Sequence, residues 1–437
     1  MLGQLQNIFK VPDLRTRLFW TLGLLLVFRL GFYIPLPGVD GEAFAQFMIE
    51  GTNSGLGELI GFMNKLAAGN LKMPVIFALG ILPYISSSII FSLLSKVLPS
   101  LEALAKEGAA GQRKINQYSR LTTVPLAFIQ GVILCKNFDT LTVGGVPVIG
   151  TFGWGFVIQG ALAITAGTVF LMWIGEQITE YGIGNGSSLL IVTGIVSDVP
   201  SAFYRLIDPK NPTTFLMGAI LASTYFLIVI GVVYTQRGQR RIPMQSAKMV
   251  RGGRMMGGQK HYLPVKLNMP SVMPVIFASS LIMLPMTLIQ TIRGVQNLPS
   301  WMSSGTFVHV TLYVTLIIFF SFFWTSLMFQ PTEIANNLKE NGAFIPGIRP
   351  GKDTASYLES VLSKVTLLGA FFLAVVAVIP EVASKIMSVD YFTAGFLGGT
   401  GILIVVGVAL DIVDKLNASL MQRNYEGFMG GAKKKSN

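Results

Sequence analysis

The side chains able to act as nucleophiles, bases or metal ligands are few: one cysteine, Cys135, and two histidines, His261 and His309, far apart along 437 residues. A lone cysteine cannot close an internal disulfide and two distant histidines do not make a ligand set, so neither a metal site nor a cofactor is expected. Ser279 and Ser280 have no histidine or lysine near them in sequence to serve as a base. There is no G-x-x-x-x-G-K-[ST] phosphate loop, no H-E-x-x-H and no G-x-S-x-G elbow. Hydrolysis of ATP or of peptide bonds by those constellations is therefore not expected, and any energy source must be borrowed.

The spacing that stands out is aliphatic. Ile81 and Ile85 are four apart, as are Ile191 and Ile195, so each pair stacks on one face of its helix. Such pairs can face lipid or a neighbouring helix. They can also contribute to a collar, because a narrow apolar ring across a wet passage dewets and blocks ions while imposing no fixed hydrogen-bond geometry. Between the first two apolar windows, Leu56, Leu59, Ile60, Met63 and Ala67 recur at helical spacing within 56–68. That segment is too short to span a membrane, and reads either as an amphipathic helix on the outer surface or as a re-entrant stopper enclosed by protein.

The elements that must carry these residues are membrane helices. Half of the chain (51%) is hydrophobic, 12% is charged, and the mean hydropathy is +0.60, too little polar surface to solvate a globule of this size. Ten apolar windows of spanning length fall at about 18–36, 73–95, 121–137, 153–174, 187–204, 214–234, 271–292, 307–329, 365–380 and 392–412. The first is full length and is followed by a chain that keeps re-entering the membrane, so it is read as a retained helix and not a cleaved leader. Pro83 is expected to kink the second span and free a carbonyl beside Ser86, Ser87 and Ser88. Gly395 and Gly399, with Gly398 and Gly401 nearby, have the small-residue spacing that lets helices approach closely. Arg29, in the outward half of the first span, is expected to snorkel to the interface. Ionisable residues are otherwise scarce near the midplane, unlike the pathway of an ion-coupled transporter.

Lys and Arg over alternate loops number 25 on the side of the two termini and seven on the other, which is expected to place both termini in the cytoplasm. The 176–186 connection carries none and is the local exception. The net charge of +12 is concentrated in the sixth–seventh loop, where Arg237, Arg240, Arg241, Lys248, Arg251, Arg254, Lys260 and Lys266 cluster. Topology and attraction to anionic lipids account for basic loops in general, and this cluster also suits an acidic or RNA-bearing partner.

Seven runs, spread over nearly the whole chain, make it resemble the bacterial SecY family: FRLGFYIPLP (28–37), IFALGILPYISSSII (76–90), GEQITEYGIGNGS (175–187), GQRRI (238–242), LPVKLNMPSVMPVIFASS (263–280), FIPGIRPG (344–351) and GGTGILIVV (398–406). The resemblance implies an all-α polytopic protein with ten transmembrane helices in two inverted five-helix halves around a central pore. It divides the chain into a cytoplasmic segment (1–17), an N-terminal half (18–205) holding a plug helix (about 56–68), a C-terminal half (206–412) with cytoplasmic loops 235–270 and 330–360, and a basic tail (413–437). It further implies a constriction ring of Ile81, Ile85, Ile191, Ile195, Ile276 and Ile404. Its lateral gate would have Ser86, Ile90, Ser280 and Leu284 near the seam. Arg240, Arg241, Arg251, Arg254 and Arg349 would bind a motor or ribosome. The implied activity is a gated channel for unfolded polypeptides in the bacterial inner membrane, releasing hydrophobic segments sideways. The implied partners are SecE, SecG, the SecA ATPase, the translating ribosome, signal sequences and secretory polypeptides. Gly401, where serine is commoner, and Pro243, Met244 and Gln245 depart from the pattern, and none is expected to touch the ring. The competing readings are a secondary transporter of a small solute, which needs a polar midplane site, and a poreless membrane scaffold.

Overall fold

The computed structural model describes residues 12–39, 75–139, 142–143, 146–147, 153–207, 215–246, 249–251, 254–256, 260–282, 306–387 and 399–433. Each of the ten apolar windows meets a helix: α1 (Pro12–Gly31), α2 (Leu82–Val97), α4 (Ala109–Asp139), α5 (Trp154–Tyr181), α6 (Gly186–Ile207), α7 (Phe215–Arg237), α8 (Met273–Ile282), α9 (Phe307–Met328), α11 (Lys352–Met387) and α12 (Gly399–Lys433). Two shorter helices lie between windows, α3 (Pro99–Lys106) and α10 (Pro331–Glu340). At 1.5 Å per residue the 36 residues of α11 and 35 of α12 run to about 50 Å, well past the hydrocarbon thickness.

The second window departs from expectation. Residues 76–81 form turns, with Gly80 at φ 54°, and the helix begins only at Leu82. Pro83 therefore sits in the first turn instead of kinking a continuous span; its missing N–H costs nothing there because the first amides of a helix have no partner anyway. The irregular stretch is held at its start by a bridge between Pro35 and Val75, where Ile76 N–H donates to Ile34 O at 3.3 Å.

Large apolar side chains point outward as well as inward. Leu26 on α1, Leu227 and Ile230 on α7, Phe319 on α9 and Phe371 on α11 are each about 60–70% exposed, a surface that water would not tolerate and lipid covers. The main apolar core runs through α4, α5, α6, α7, α8, α9, α11 and α12, with α2 packed against it through Tyr84, Ile85 and Ile89, and with Phe28 of α1 and Phe77 of the irregular stretch among its largest members. Cys135 fills the gap left by Gly160 of α5, where a Cβ would lie 2.7 Å from its Sγ, so the one thiol is packing.

A second core lies under a small sheet. Strand β3 (Gln239–Ser246) is flanked by β6 (Lys260–Lys266) and β7 (Ala343–Phe344), both antiparallel to it. Ile242 and Val265 are buried beneath it with Phe329, Ile345, Leu358, Val361 and Leu362. Separate two-stranded pairs join β1 (Thr142–Val143) to β2 (Val146–Pro147) and β4 (Met249–Arg251) to β5 (Arg254–Met256). None of these strands is legible in the residue pattern, because alternation over 239–246 is imperfect, Arg240 and Arg241 both being exposed.

Candidate functional site

Four separate helices supply the six isoleucines. Ile81 is the N-cap of α2, and its carbonyl accepts the Ile85 N–H at 3.1 Å, so the two keep a helical relation although Ile81 precedes the helix. Ile81 is buried against α5, its Cδ1 lying 3.3 Å from where a Cβ of Gly175 would stand. Ile191 on α6, Ile276 on α8 and Ile404 on α12 are buried in the same apolar cluster, and Ile85 and Ile195 pack against it half-buried. A Cβ at Gly401 would lie 3.5 Å from Ile195 Cγ2. Gly401 is three residues before Ile404 and shares its helix face. Gly401 therefore faces Ile195, contrary to the expectation that it stands clear of the six isoleucines, because α12 packs on α6 at this level. Closer still is Gly407, where a Cβ would meet Val272 at 2.9 Å and Gln236 at 3.0 Å. Gly395 and Gly398 lie outside the described residues.

The α5–α6 elbow fixes the position of Ile191 and Ile195. A Cβ at Gly186 would fall 1.8 Å from the carbonyl oxygen of Gly175, so only glycine lets the two chains meet there. Gly186 N–H donates to Thr179 Oγ1 at 2.9 Å, and Asn185 Oδ1 accepts Ser187 N–H at 3.1 Å at the start of α6. Thr21 Oγ1 accepts Ile183 N–H at 3.1 Å, tying the elbow to α1. On the other side, Arg120 of α4 forms an ion pair with Glu176 of α5. Of the two carboxylates in the 176–186 connection, Glu176 and Glu180, the first thus has its cation on a neighbouring helix.

Of the residues expected at a lateral gate, Ser86 and Ile90 lie four apart on α2, Ser86 half-buried and Ile90 38% exposed. On α8 the Ser280 hydroxyl is covered and without a hydrogen-bond partner among the described residues, whereas Ser279 Oγ donates to Ile276 O at 2.9 Å. Leu284 and the whole 56–68 segment, with Leu56, Leu59, Ile60, Met63 and Ala67, lie outside the described residues.

Backbone pairing places the arginines on two separate sheets, Arg240 and Arg241 on β3 and Arg251 and Arg254 on β4 and β5. Arg240 and Arg241 are exposed on β3 opposite Val265 and Pro264, and Arg251 pairs with Arg254 across the β4–β5 turn. Strand β7 joins the same sheet through Gln245 and Phe344, carrying with it the loop that exposes Arg349. That loop is anchored at several points: Ile345 is buried, Ile348 N–H donates to Ile345 O, Gly347 and Gly351 hold positive φ, and Thr354 Oγ1 donates to Arg349 O at 2.8 Å. Pro243 pairs with Tyr262, and Met244 packs on the core below the sheet.

A helical bundle with an outward apolar surface, an aliphatic centre and an exposed basic loop sheet defines a multi-pass membrane protein, and its fold is that of the protein-conducting channels. It is similar to the structure of a protein conducting channel, with a TM-score of 0.65 at 18% identity, over 94% of this chain and 96% of the other. It is likewise similar to Sec61 in the canine ribosome-channel complex, with a TM-score of 0.61 at 16% identity, over 94% and 96%. The SecY family model matches residues 75–413. The protein translocase subunit SecY of Haemophilus influenzae is 40% identical over 95% of this chain and 93% of its own length, and that of Streptomyces coelicolor 41% identical over 98% and 100%. The chain belongs to the SecY family.

Proposed function

We propose that this chain is the central subunit of a gated channel that moves unfolded polypeptides across the cytoplasmic membrane and releases hydrophobic segments sideways into lipid. The observation that carries the reading is that Ile81, Ile191, Ile276 and Ile404 are buried in one apolar core and that Ile85 and Ile195 pack against it, four helices contributing. Among the described residues the buried polar side chains are serines, threonines, Asn268 and the phenol of Tyr313, with no buried Asp, Glu, Lys, Arg or His residue. A solute transporter calls for an ionisable or strongly polar centre, so this composition favours a seal made of hydrocarbon. The ring yields to a passing chain because nothing in it selects a partner by hydrogen bonding. A segment of spanning length and apolar composition gains by leaving sideways, whereas a polar one stays in water.

In this reading the 56–68 helix is the plug on the outer side, and Ser86, Ile90, Ser280 and Leu284 flank the lateral gate. The inverted halves are 18–205 and 206–412, with both termini and the basic loops in the cytoplasm. Arg240, Arg241, Arg251, Arg254 and Arg349 receive SecA or the ribosome, since a guanidinium fork serves carboxylate and phosphate alike. A fold neighbour is a channel in complex with a ribosome, which supports that partner. SecE and SecG complete the membrane complex, and anionic lipids attract the basic face. Replacing Ile85, Ile195 and Ile404 by glycine should open an ion leak in planar bilayers, and unchanged conductance would count against the seal. Crosslinkers at Ile85 or Ile276 should capture a stalled secretory chain; a clean absence of adducts would favour the poreless scaffold.

A further inference from the structure

Helix α2 carries two rows of side chains at four-residue spacing. Ser86 and Ile90 form the row assigned above to the seam. Ser87 and Phe91 form the next, turned by about 100°. This second row meets α4. Ser87 Oγ donates to Ser119 O at 2.7 Å, Ser119 Oγ donates to Ser87 Oγ at 3.4 Å, and Thr123 Oγ1 donates to the same Ser119 carbonyl at 2.7 Å. All three residues are buried. One turn on, Phe91 stacks on Tyr118 with centroids 6.3 Å apart. Arg120, next in sequence to Ser119, pairs with Glu176 of α5. The short polar network is closed on itself, and parting the helices would strand its hydroxyls where no water reaches them.

We propose that the Ser87–Ser119–Thr123 hydroxyl network fastens α2 to α4, so that the seam parts only along the Ser86–Ile90 row and α2 moves with α4 as one body. Ser87 is a positioning residue: it touches no passenger, and acts by deciding on which side α2 separates. The inference rests on the lateral-gate reading above. An interhelical hydrogen bond of this kind shifts an equilibrium by about three- to fifteenfold, enough to choose between two ways of opening.

The test uses the full channel complex in nanodiscs with Cys135→Ala and spin labels in two pairs. One joins Val97→Cys on α2 to Leu121→Cys on α4, and the other joins Val97→Cys to Met273→Cys on α8. Distances are measured by electron–electron resonance with and without a synthetic hydrophobic signal peptide. In the otherwise native chain the peptide should lengthen the 97–273 distance and leave 97–121 unchanged. Ser87→Ala should add a longer 97–121 population, raised about three- to fifteenfold, and Ser87→Thr, which keeps the donor, should remove it. An unchanged 97–121 distribution in Ser87→Ala, with 97–273 still responding, overturns the proposal alone. A 97–273 distance that never responds in the native chain overturns the gate reading beneath it. Independently, a Ser87→Cys/Ser119→Cys channel should export as fast oxidised as reduced. Export lost on oxidation and regained with reductant would show that the two helices must part, and would refute the fastening.

Discussion

Gly186→Ala is the sharpest available perturbation of the proposed constriction, because it acts on the ring without touching it. The added Cβ would stand 1.8 Å from Gly175 O, and an unstrained C···O contact is about 3.3 Å, so the start of α6 must retreat by about 1.5 Å. A retreat of that size stretches the 2.9 Å bond from Gly186 N–H to Thr179 Oγ1 beyond hydrogen-bonding range. Losing that bond costs about 1 kcal/mol, and overpacking against a backbone carbonyl adds about 1–3 kcal/mol. Ile191 and Ile195 ride on the same helix five and nine residues further on, so the displacement is carried to the ring. The expected result is an ion leak in planar bilayers together with a lower midpoint of thermal aggregation, by about 2–4 °C for a chain of this length. Gly155→Ala on α5 is the control: nothing lies within 4 Å of its Cβ position, and alanine should be neutral or slightly stabilising. If Gly186→Ala left conductance and thermal midpoint as in the native chain while Gly155→Ala behaved the same way, the elbow would not position the ring.

Arg349→Glu should impair motor-driven export while the resting seal stays intact; undiminished export in a vesicle import assay would defeat the docking role. Ile242→Ala removes the centre of the loop-sheet core and should destabilise it by about 2–4 kcal/mol. Faster tryptic cleavage at Arg240 and Arg241 is the expected readout, and an unchanged digestion rate would show that the sheet does not depend on that core. Arg120→Ala, Glu176→Gln and the double variant should give a coupling of about 0.5–1 kcal/mol in thermal stability, modest because Arg120 is half exposed. Additive single effects would mean that the pair contributes nothing between α4 and α5.

The periodicity and length of the apolar windows located the helices because the hydrocarbon thickness admits few alternatives, and each window meets one. Their starts were less legible. Pro83 read alone is a kink, and only the turns from 76 to 81 make it a first-turn residue. The loop strands escaped notice because β3 pairs with β7 across about 100 residues, and the two-residue strand Ala343–Phe344 has no pattern of its own. Nor could spacing reveal Ser87 with Ser119, 32 residues apart, or Arg120 with Glu176. Each of these residues taken singly is an ordinary side chain of a membrane helix.

By itself the sequence determined that this chain lives in a membrane, where its apolar helices lie, and, through its motifs, to which family it belongs. Those properties depend on composition and local order, which hydrophobicity reads one segment at a time. Only the tertiary structure decided that isoleucines from four helices share one cluster, that Gly401 abuts Ile195, and that α2 is tied to α4. Such contacts depend on how helices pack, and packing is set by the shapes of facing surfaces that no single segment contains.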